Sequence, residues 1–138
     1  MVRLGRVSAS AAALMGAALL LAGCMSAENL DRHLARITVE DPDFSLLADG
    51  TYEGDYDIDL PPGAWAANQY FRVDLEIAGG AAAGIEILEP ETFSDNDDFA
   101  AYIDRILEAQ SLLVDAVSGG TISSKAFVKA VEDAATPE

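Results

Sequence analysis

The sequence contains few cationic side chains and very few residues of the types that bind metals. It has 8 Lys and Arg against 24 Asp and Glu, for a formal charge of −16. A nucleic-acid-binding protein needs clustered Lys and Arg to neutralise phosphate, so a nucleic-acid partner is excluded. The single cysteine, Cys24, excludes a disulfide framework. With the single histidine, His33, it offers no cluster for zinc, haem or an iron–sulfur centre, and no Ser-His-Asp triad.

The first 23 residues have the pattern of a secretory signal peptide. Arg3 and Arg6 precede an apolar run over residues 7–21, and small residues follow immediately before Cys24. The run is interrupted by polar residues and falls short of the roughly 20 residues that a spanning helix needs. The last four residues, Leu-Ala-Gly-Cys, resemble the lipobox of bacterial lipoproteins, which implies that Cys24 becomes the lipidated first residue of the mature chain. The alternatives are an uncleaved anchor and a chance cysteine.

Cleavage before Cys24 would leave 115 residues, enough for one ordinary domain, with a charge of −18 because only Arg3 and Arg6 are lost. We expect residues 24–48 to be a lipidated N-terminus and a tether, which as a flexible coil would reach roughly 25–30 Å. Leu30, Leu34 and Ile37 have helical spacing within it, and His33 is expected at the surface. The sequence therefore predicts a protein held by acyl chains on the outer side of the cytoplasmic membrane.

Period-two patterns predict three strands after Asp49. In the first, Tyr52, Gly54, Tyr56, Ile58 and Leu60 alternate with acidic residues. The second runs from Phe71 to Ile77, and Gly79-Gly80 marks a tight turn with positive φ at both glycines. Ala83, Ile85 and Ile87 then alternate with Gly84 and Glu86 as a third, antiparallel strand.

Helical periodicity follows the strands. Phe99, Tyr102, Ile103, Ile106 and Leu107 form one apolar stripe, and Ser94 with Asp97 resembles a capping box. A second helix begins near Thr121–Ser124 and has its own stripe of Phe127, Ala130, Val131 and Ala134. The sequence predicts an α+β domain over residues 49–138, in which two helices cover one face of a small antiparallel sheet.

The segment that leads into the second helix is suited to an anion. It reads Ser118-Gly119-Gly120-Thr121-Ile122-Ser123-Ser124-Lys125. Two glycines allow close approach of the backbone, and the free N–H groups of a new helix favour a phosphate. The alternative is an ordinary loop with an N-cap, and the segment is not a Walker loop, which ends in Gly-Lys-Ser/Thr.

The acidic alternation of the first strand has some features of a calcium-binding loop. Asp55-x-Asp57-x-Asp59 is similar to the start of an EF-hand loop, but Leu60 stands where that loop needs glycine and Ala66 where it needs glutamate. Strand alternation accounts better for these aspartates, and we predict no metal site.

Two blocks carry a resemblance to a known family. Asp49-Gly50-Thr51-Tyr52-Glu53-Gly54, followed by Asp115-Ala116-Val117-Ser118-Gly119-Gly120-Thr121-Ile122-Ser123-Ser124, resembles the FMN-binding domain family over about residues 49–134. That family includes the flavin-carrying subunits of sodium-pumping and Rnf-type electron-transfer complexes. Glu91-Thr92 and Gln110 also stand where such domains often carry the same residues. The family usually has alanine in place of Gly120.

The resemblance implies that Thr121 receives FMN through a phosphoester bond made by an FMN transferase that uses FAD. It implies that Asp115 belongs to the block that the transferase recognises; a local role, bonding to nearby backbone N–H groups, is the alternative. Ser118, Gly119 and Gly120 would lie beside the phosphate. Ser123 and Ser124 either cap the helix or touch the phosphate, and Tyr52 either stacks on the flavin or fills the core.

The expected function is electron transfer by a membrane-tethered, extracytoplasmic flavoprotein rather than by a stand-alone enzyme. Its partners would be the transferase and redox proteins with basic docking surfaces. One alternative is a flavin-dependent reductase subunit. The other is a flavin-free lipoprotein that keeps the fold for protein contacts.

Overall fold

A computed structural model of the chain describes residues 32–60, 69–93, 96–115 and 121–137. The predicted signal peptide and Cys24 lie outside these residues, as does Trp65. The chain divides into two compact units, of which one combines residues 1–36 with 60–65 and the other combines residues 37–59 with 66–138. In the first unit, residues 32–36 form helix α1, where Leu34 is buried and His33 is half-buried. The second unit contains all the remaining elements described below.

The sheet is an antiparallel meander of three strands in the order β1-β2-β3, as predicted. The strands are β1 (Gly50–Asp57), β2 (Tyr70–Ala78) and β3 (Ala81–Glu89). Gly79 and Gly80 connect β2 to β3 with φ values of 63° and 76°, which confirms the predicted turn. The sheet pairs Tyr52 with Leu75 and Leu75 with Ile85, and so brings the apolar alternations of the three strands to one face.

The predicted assignment of buried and exposed residues is wrong at the start of β3. Glu76 pairs with Gly84, but Ile77 pairs with Ala82, so Ala83 is an extra residue in the ladder. Such a bulge reverses the inward and outward positions on either side of it. Ala82 is consequently buried and Ala83 is exposed, whereas strict alternation predicts that Ala83 is buried.

Two longer helices cover the apolar face of the sheet. They are α2 (Asp97–Ala109) and α3 (Thr121–Ala134), accompanied by short 3-10 helices at Phe44–Leu46 and Glu91–Phe93. The expected cap of α2 was wrong. Ser94 lies outside the described residues, and the Asn96 side chain accepts the bonds from the amides of Asp98 and Phe99. Asparagine is as good an N-cap as serine, and here it stands directly before the first helical residue.

The core combines the inward face of β2 with the stripe of α3. Phe71, Val73, Leu75 and Ile77 are buried, as are all four residues of the predicted α3 stripe. Five rings pack in one cluster, with centroid separations of 4.8–6.4 Å: Phe71, Phe93, Phe99, Tyr102 and Phe127. Because these rings come from β2, the Glu91–Phe93 turn and both helices, their contacts join the sheet to its helical layer. The α+β class is confirmed.

The two layers come into backbone contact at Gly54 of β1. A Cβ atom at this glycine would overlap the backbone carbonyl of Ala130 and the backbone nitrogen of Ala134 on α3. Nearby, the Asp133 carboxylate accepts a hydrogen bond from the amide of Asp55 at 3.0 Å. Helix α3 therefore lies directly against the backbone of β1 and satisfies a polar group of that edge strand.

Substitution Gly54→Ala should push α3 away from β1, because the added methyl meets backbone atoms that cannot rotate aside. We expect a loss of roughly 1–3 kcal/mol or more in the free energy of unfolding, measured with urea. Gly84→Ala is the matched control, since its Cβ would lie 3.4 Å from the flexible Glu76 carboxylate. Equal stability of the two variants would contradict this account of the packing.

Residues 37–48, assigned to the tether by the sequence, also contact the domain. Phe44 is 3% exposed, and the amide of Glu40 donates to the Glu132 carboxylate at 2.9 Å. The Lys129 ammonium donates to the carbonyl of Thr38 at 3.2 Å. The folded unit thus begins near Ile37.

Candidate functional site

The N-terminus of α3 is the centre of the candidate site. Thr121 is the first residue of the helix, and the first four amides of any α-helix have no acceptor within it. Ser123 and Ser124 are half-buried inside the first turn, so neither is the N-cap and that alternative is removed. Ser118, Gly119 and Gly120 lie outside the described residues, and their contact with a phosphate stays a prediction.

The charge pattern along α3 favours an anion at its start. Although the chain has 24 acidic residues, none lies between Ala116 and Val131, and Lys125 and Lys129 fall within that stretch. Lys129 forms an ion pair with Glu132 at 2.6 Å, whereas Lys125 lies half-buried near the first turn. The first acid of the helix, Glu132, comes about 16 Å along the axis from Thr121, at 1.5 Å per residue. The helix dipole and the charge of Lys125 therefore both favour an anion at this end of α3.

Asp115 stands at the other side of the undescribed residues 116–120. Its carbonyl accepts a hydrogen bond from the Arg105 guanidinium of α2 at 3.1 Å, and its side chain is exposed. Burial raises the pKa of the neighbouring Tyr102 phenol, and the Asp115 carboxylate raises it further. The structure thus fixes the backbone of Asp115 through Arg105, a contact that no periodicity in the sequence indicated.

Several residues that supported the resemblance have structural roles. Gln110 ends α2 in the left-handed conformation, with φ 52°, and its side-chain amide bonds both the amide and the carbonyl of Ala82 at 2.8 and 2.9 Å. Asp49 accepts from the amide of Gly79 at 2.9 Å, and the Tyr52 hydroxyl donates to the carbonyl of Ala48 at 2.7 Å. These contacts build the fold, and half-buried Tyr52 is used in it as a hydrogen-bond donor.

A groove of about 310 Å³ lies on the outer face of the sheet, away from the face that carries the buried side chains of β2. Its lining includes Asp74, Glu76 and Glu86, and Asp74 is paired directly with Glu86 and with Glu53 across the strands. Three carboxylates repel a phosphate, so this groove is a poor place for one. Among the described residues, no group of acidic, histidine or cysteine side chains is arranged to hold a metal ion.

Helix, charge and hydroxyl groups together define an α+β domain in which the N-terminus of α3 has groups suited to an anion. A comparison with protein-family models agrees: the FMN-binding domain model matches residues 67–136, just over half of the chain. The chain belongs to the FMN-binding domain family, and FMN is its cofactor. The matched range begins after β1, so Asp49–Gly54 precedes it. No curated protein and no solved structure matches the chain.

The residues at the start of α3 fit an FMN phosphate. The backbone amides of the first turn, the hydroxyls of Ser123 and Ser124 and the Lys125 ammonium are all donors, and the first turn has no acidic residue. Phosphate oxygens accept from such groups, and a net positive field is the arrangement that anions require.

As for the membrane, no helix in the described ranges is long and apolar enough to cross one.

The raised pKa of Tyr102 gives a pH prediction. Because the folded state disfavours the tyrosinate, the unfolded chain loses this proton first, near the ordinary value of 10.0. The contribution of Tyr102 to stability is therefore complete below about pH 10 and is lost as the pH rises through the folded-state pKa. In urea unfolding, the free energy of unfolding should decline less steeply between about pH 9 and 11 in Tyr102→Phe than in the wild type. Identical declines would show that Tyr102 does not contribute.

Proposed function

We propose that this protein is a membrane-tethered, extracytoplasmic flavoprotein that carries FMN in phosphoester linkage on Thr121 and transfers electrons. The observation that carries the proposal is the position of Thr121 at the start of α3, in a stretch free of acidic residues and followed by Lys125. A phosphate ester on this threonine would place its oxygens where the helix amides and the lysine stabilise negative charge. Membership of the FMN-binding domain family supports the choice of flavin.

Attachment requires an enzyme, because an unactivated threonine hydroxyl is a poor nucleophile. In the proposed step the Thr121 oxygen attacks the FMN phosphorus of FAD, and a new P–O bond forms there. The bond between that phosphorus and the bridging oxygen of the pyrophosphate breaks. AMP leaves with the bridging oxygen, and the hydroxyl proton is released, so no oxidant or reductant is consumed. Asp115, at the start of the recognised block, is proposed as a contact for the transferase.

The bound flavin supplies the redox chemistry, and the chain supplies its position and its surroundings. A covalent bond suits an extracytoplasmic protein, because free FMN released there would be lost by dilution. Lipidation of Cys24 would hold the domain beside membrane redox partners. The tether would then comprise the residues between Cys24 and the start of the folded unit at Ile37.

Substitution Thr121→Val tests the attachment. Co-expressed with an FMN transferase, the wild type should give a fluorescent band on a denaturing gel and a mass increase of one FMN unit. Thr121→Val should give neither, because valine has no hydroxyl to esterify. Thr51→Val, at an exposed position of β1, is the matched control and should remain fluorescent.

A fluorescent Thr121→Val variant would place the ester on another residue. A dark but correctly folded wild type would instead favour the flavin-free alternative. Binding of free FMN by that dark protein, measured by flavin fluorescence, would separate non-covalent binding from loss of the cofactor.

The charge distribution suggests how partners dock. The exposed acidic side chains include, on β1 and α2, Glu53, Asp55, Asp57, Asp97, Asp98, Asp104 and Glu108. A phosphodiester-linked FMN would add roughly one further negative charge. We propose that redox partners approach through basic surfaces, steered by this field.

Stopped-flow electron exchange with a small basic redox protein should slow roughly tenfold as salt rises from ~0.02 M to ~0.5 M. An acidic redox protein of similar size is the control, and its exchange should become faster because salt screens the repulsion. Rates independent of salt with both probes would contradict steering and would leave adaptation to a saline medium as the explanation of the acidity.

A further inference from the structure

The last described turn before the undescribed residues 116–120 is held by a side chain from far away in the sequence. We call residues 111–115 the lead-in segment. The Asp41 carboxylate accepts from the Ser111 hydroxyl at 2.8 Å and from the amide of Leu112 at 2.9 Å. Asp41 lies 70 residues earlier in the chain, among those that the sequence assigned to the tether.

Further contacts restrain the rest of the lead-in segment. The Ser111 hydroxyl also accepts from the amide of Leu113 at 3.0 Å, so Asp41, Ser111 and Leu113 are connected in series. Leu112 is only 2% exposed. Arg105 holds the carbonyl of Asp115 at the far end of the segment. A carboxylate acceptor makes these bonds stronger than neutral ones and so restricts the backbone of the segment.

We infer that Asp41 is a positioning residue for the modification of Thr121. The inference rests on the proposed attachment. The block that the transferase recognises starts at Asp115, directly after the residues that Asp41 holds, and Thr121 at its other end begins α3. A substrate segment whose ends are held loses less conformational entropy when an enzyme binds it. Asp41 thus lowers the KM of the transferase for this protein and leaves the chemical step at Thr121 unchanged.

The test uses the full domain with Asp41→Ala and, as its matched control, Asp43→Ala. Asp43 is two residues away, and its carboxylate also accepts hydrogen bonds, but among the described residues only from the amide and hydroxyl of Ser45 within its own turn. Urea unfolding gives the folded fraction of each variant, to which its measured rates are normalised. If the alanine variant fails to fold, Asp41→Asn serves as the second variant, because its amide oxygen can still accept from the amide of Leu112.

The first measurement is amide hydrogen exchange of the unmodified protein. The amides of Leu112 and Leu113 should exchange at least roughly tenfold faster in Asp41→Ala than in the wild type. Their exchange rates should be unchanged in Asp43→Ala. The second is the rate of flavinylation by the transferase with FAD as donor. We expect Asp41→Ala to raise the KM for the protein by roughly tenfold with kcat within about twofold, and Asp41→Asn to recover part of the loss.

The outcomes separate this inference from the proposed function. Two results for Asp41→Ala would overturn the role of Asp41 alone. One is unchanged hydrogen exchange at Leu112. The other is a KM equal to that of Asp43→Ala while the wild type is modified normally. A fall in kcat with KM unchanged would also overturn it. A wild type that is never modified would overturn the proposed attachment and the role of Asp41 in it. The exchange data would then show only whether Asp41 holds the lead-in segment.

Discussion

The packing of α3 against β1 at Gly54 is the contact on which the position of the site depends. With no side chain on this glycine, the strand backbone meets the helix backbone at Ala130 and Ala134. Because an α-helix is a rigid rod, that contact determines where its first residue lies. Thr121 is nine residues before Ala130, about 14 Å along the axis. The end of α3 at which we propose phosphate binding therefore belongs to a helix with a buried stripe rather than to a strand edge.

The distribution of charge on α3 makes the proposed anion site compatible with a strongly acidic chain. Glu132 and Asp133 lie near the helix C-terminus, where the dipole disfavours carboxylates, yet each accepts a backbone hydrogen bond from another segment. These bonds offset the unfavourable position and fasten the helix to residues 40 and 55. The N-terminal half keeps only cationic, hydroxyl and apolar side chains beside its amides. Acidic side chains thus hold the C-terminal end of α3 in place through hydrogen bonds, and its N-terminal half has none.

Residues that make this chain look like its family divide by role. Asp49, Gly54 and Gln110 complete a turn, a close helix–strand contact and a link from α2 to β3, so they report the fold. The block beginning at Asp115 contains the residues of the proposed attachment. This division explains why a resemblance spread over the whole domain identifies the cofactor class, while the proposed attachment depends on a few residues around Thr121.

Local sequence patterns were enough to predict the three strands, the Gly79-Gly80 turn, the buried stripe of α3 and the start of that helix, because each depends on local periodicity or backbone freedom. The bulge at Ala83, which arises from the register against Ile77, and the cap at Asn96 depend on long-range packing and were not predicted. The same is true of Asp41, which belongs to the domain and bonds the segment before Asp115. Such contacts join residues about 70 positions apart, and local patterns carry no signal of which distant groups will meet.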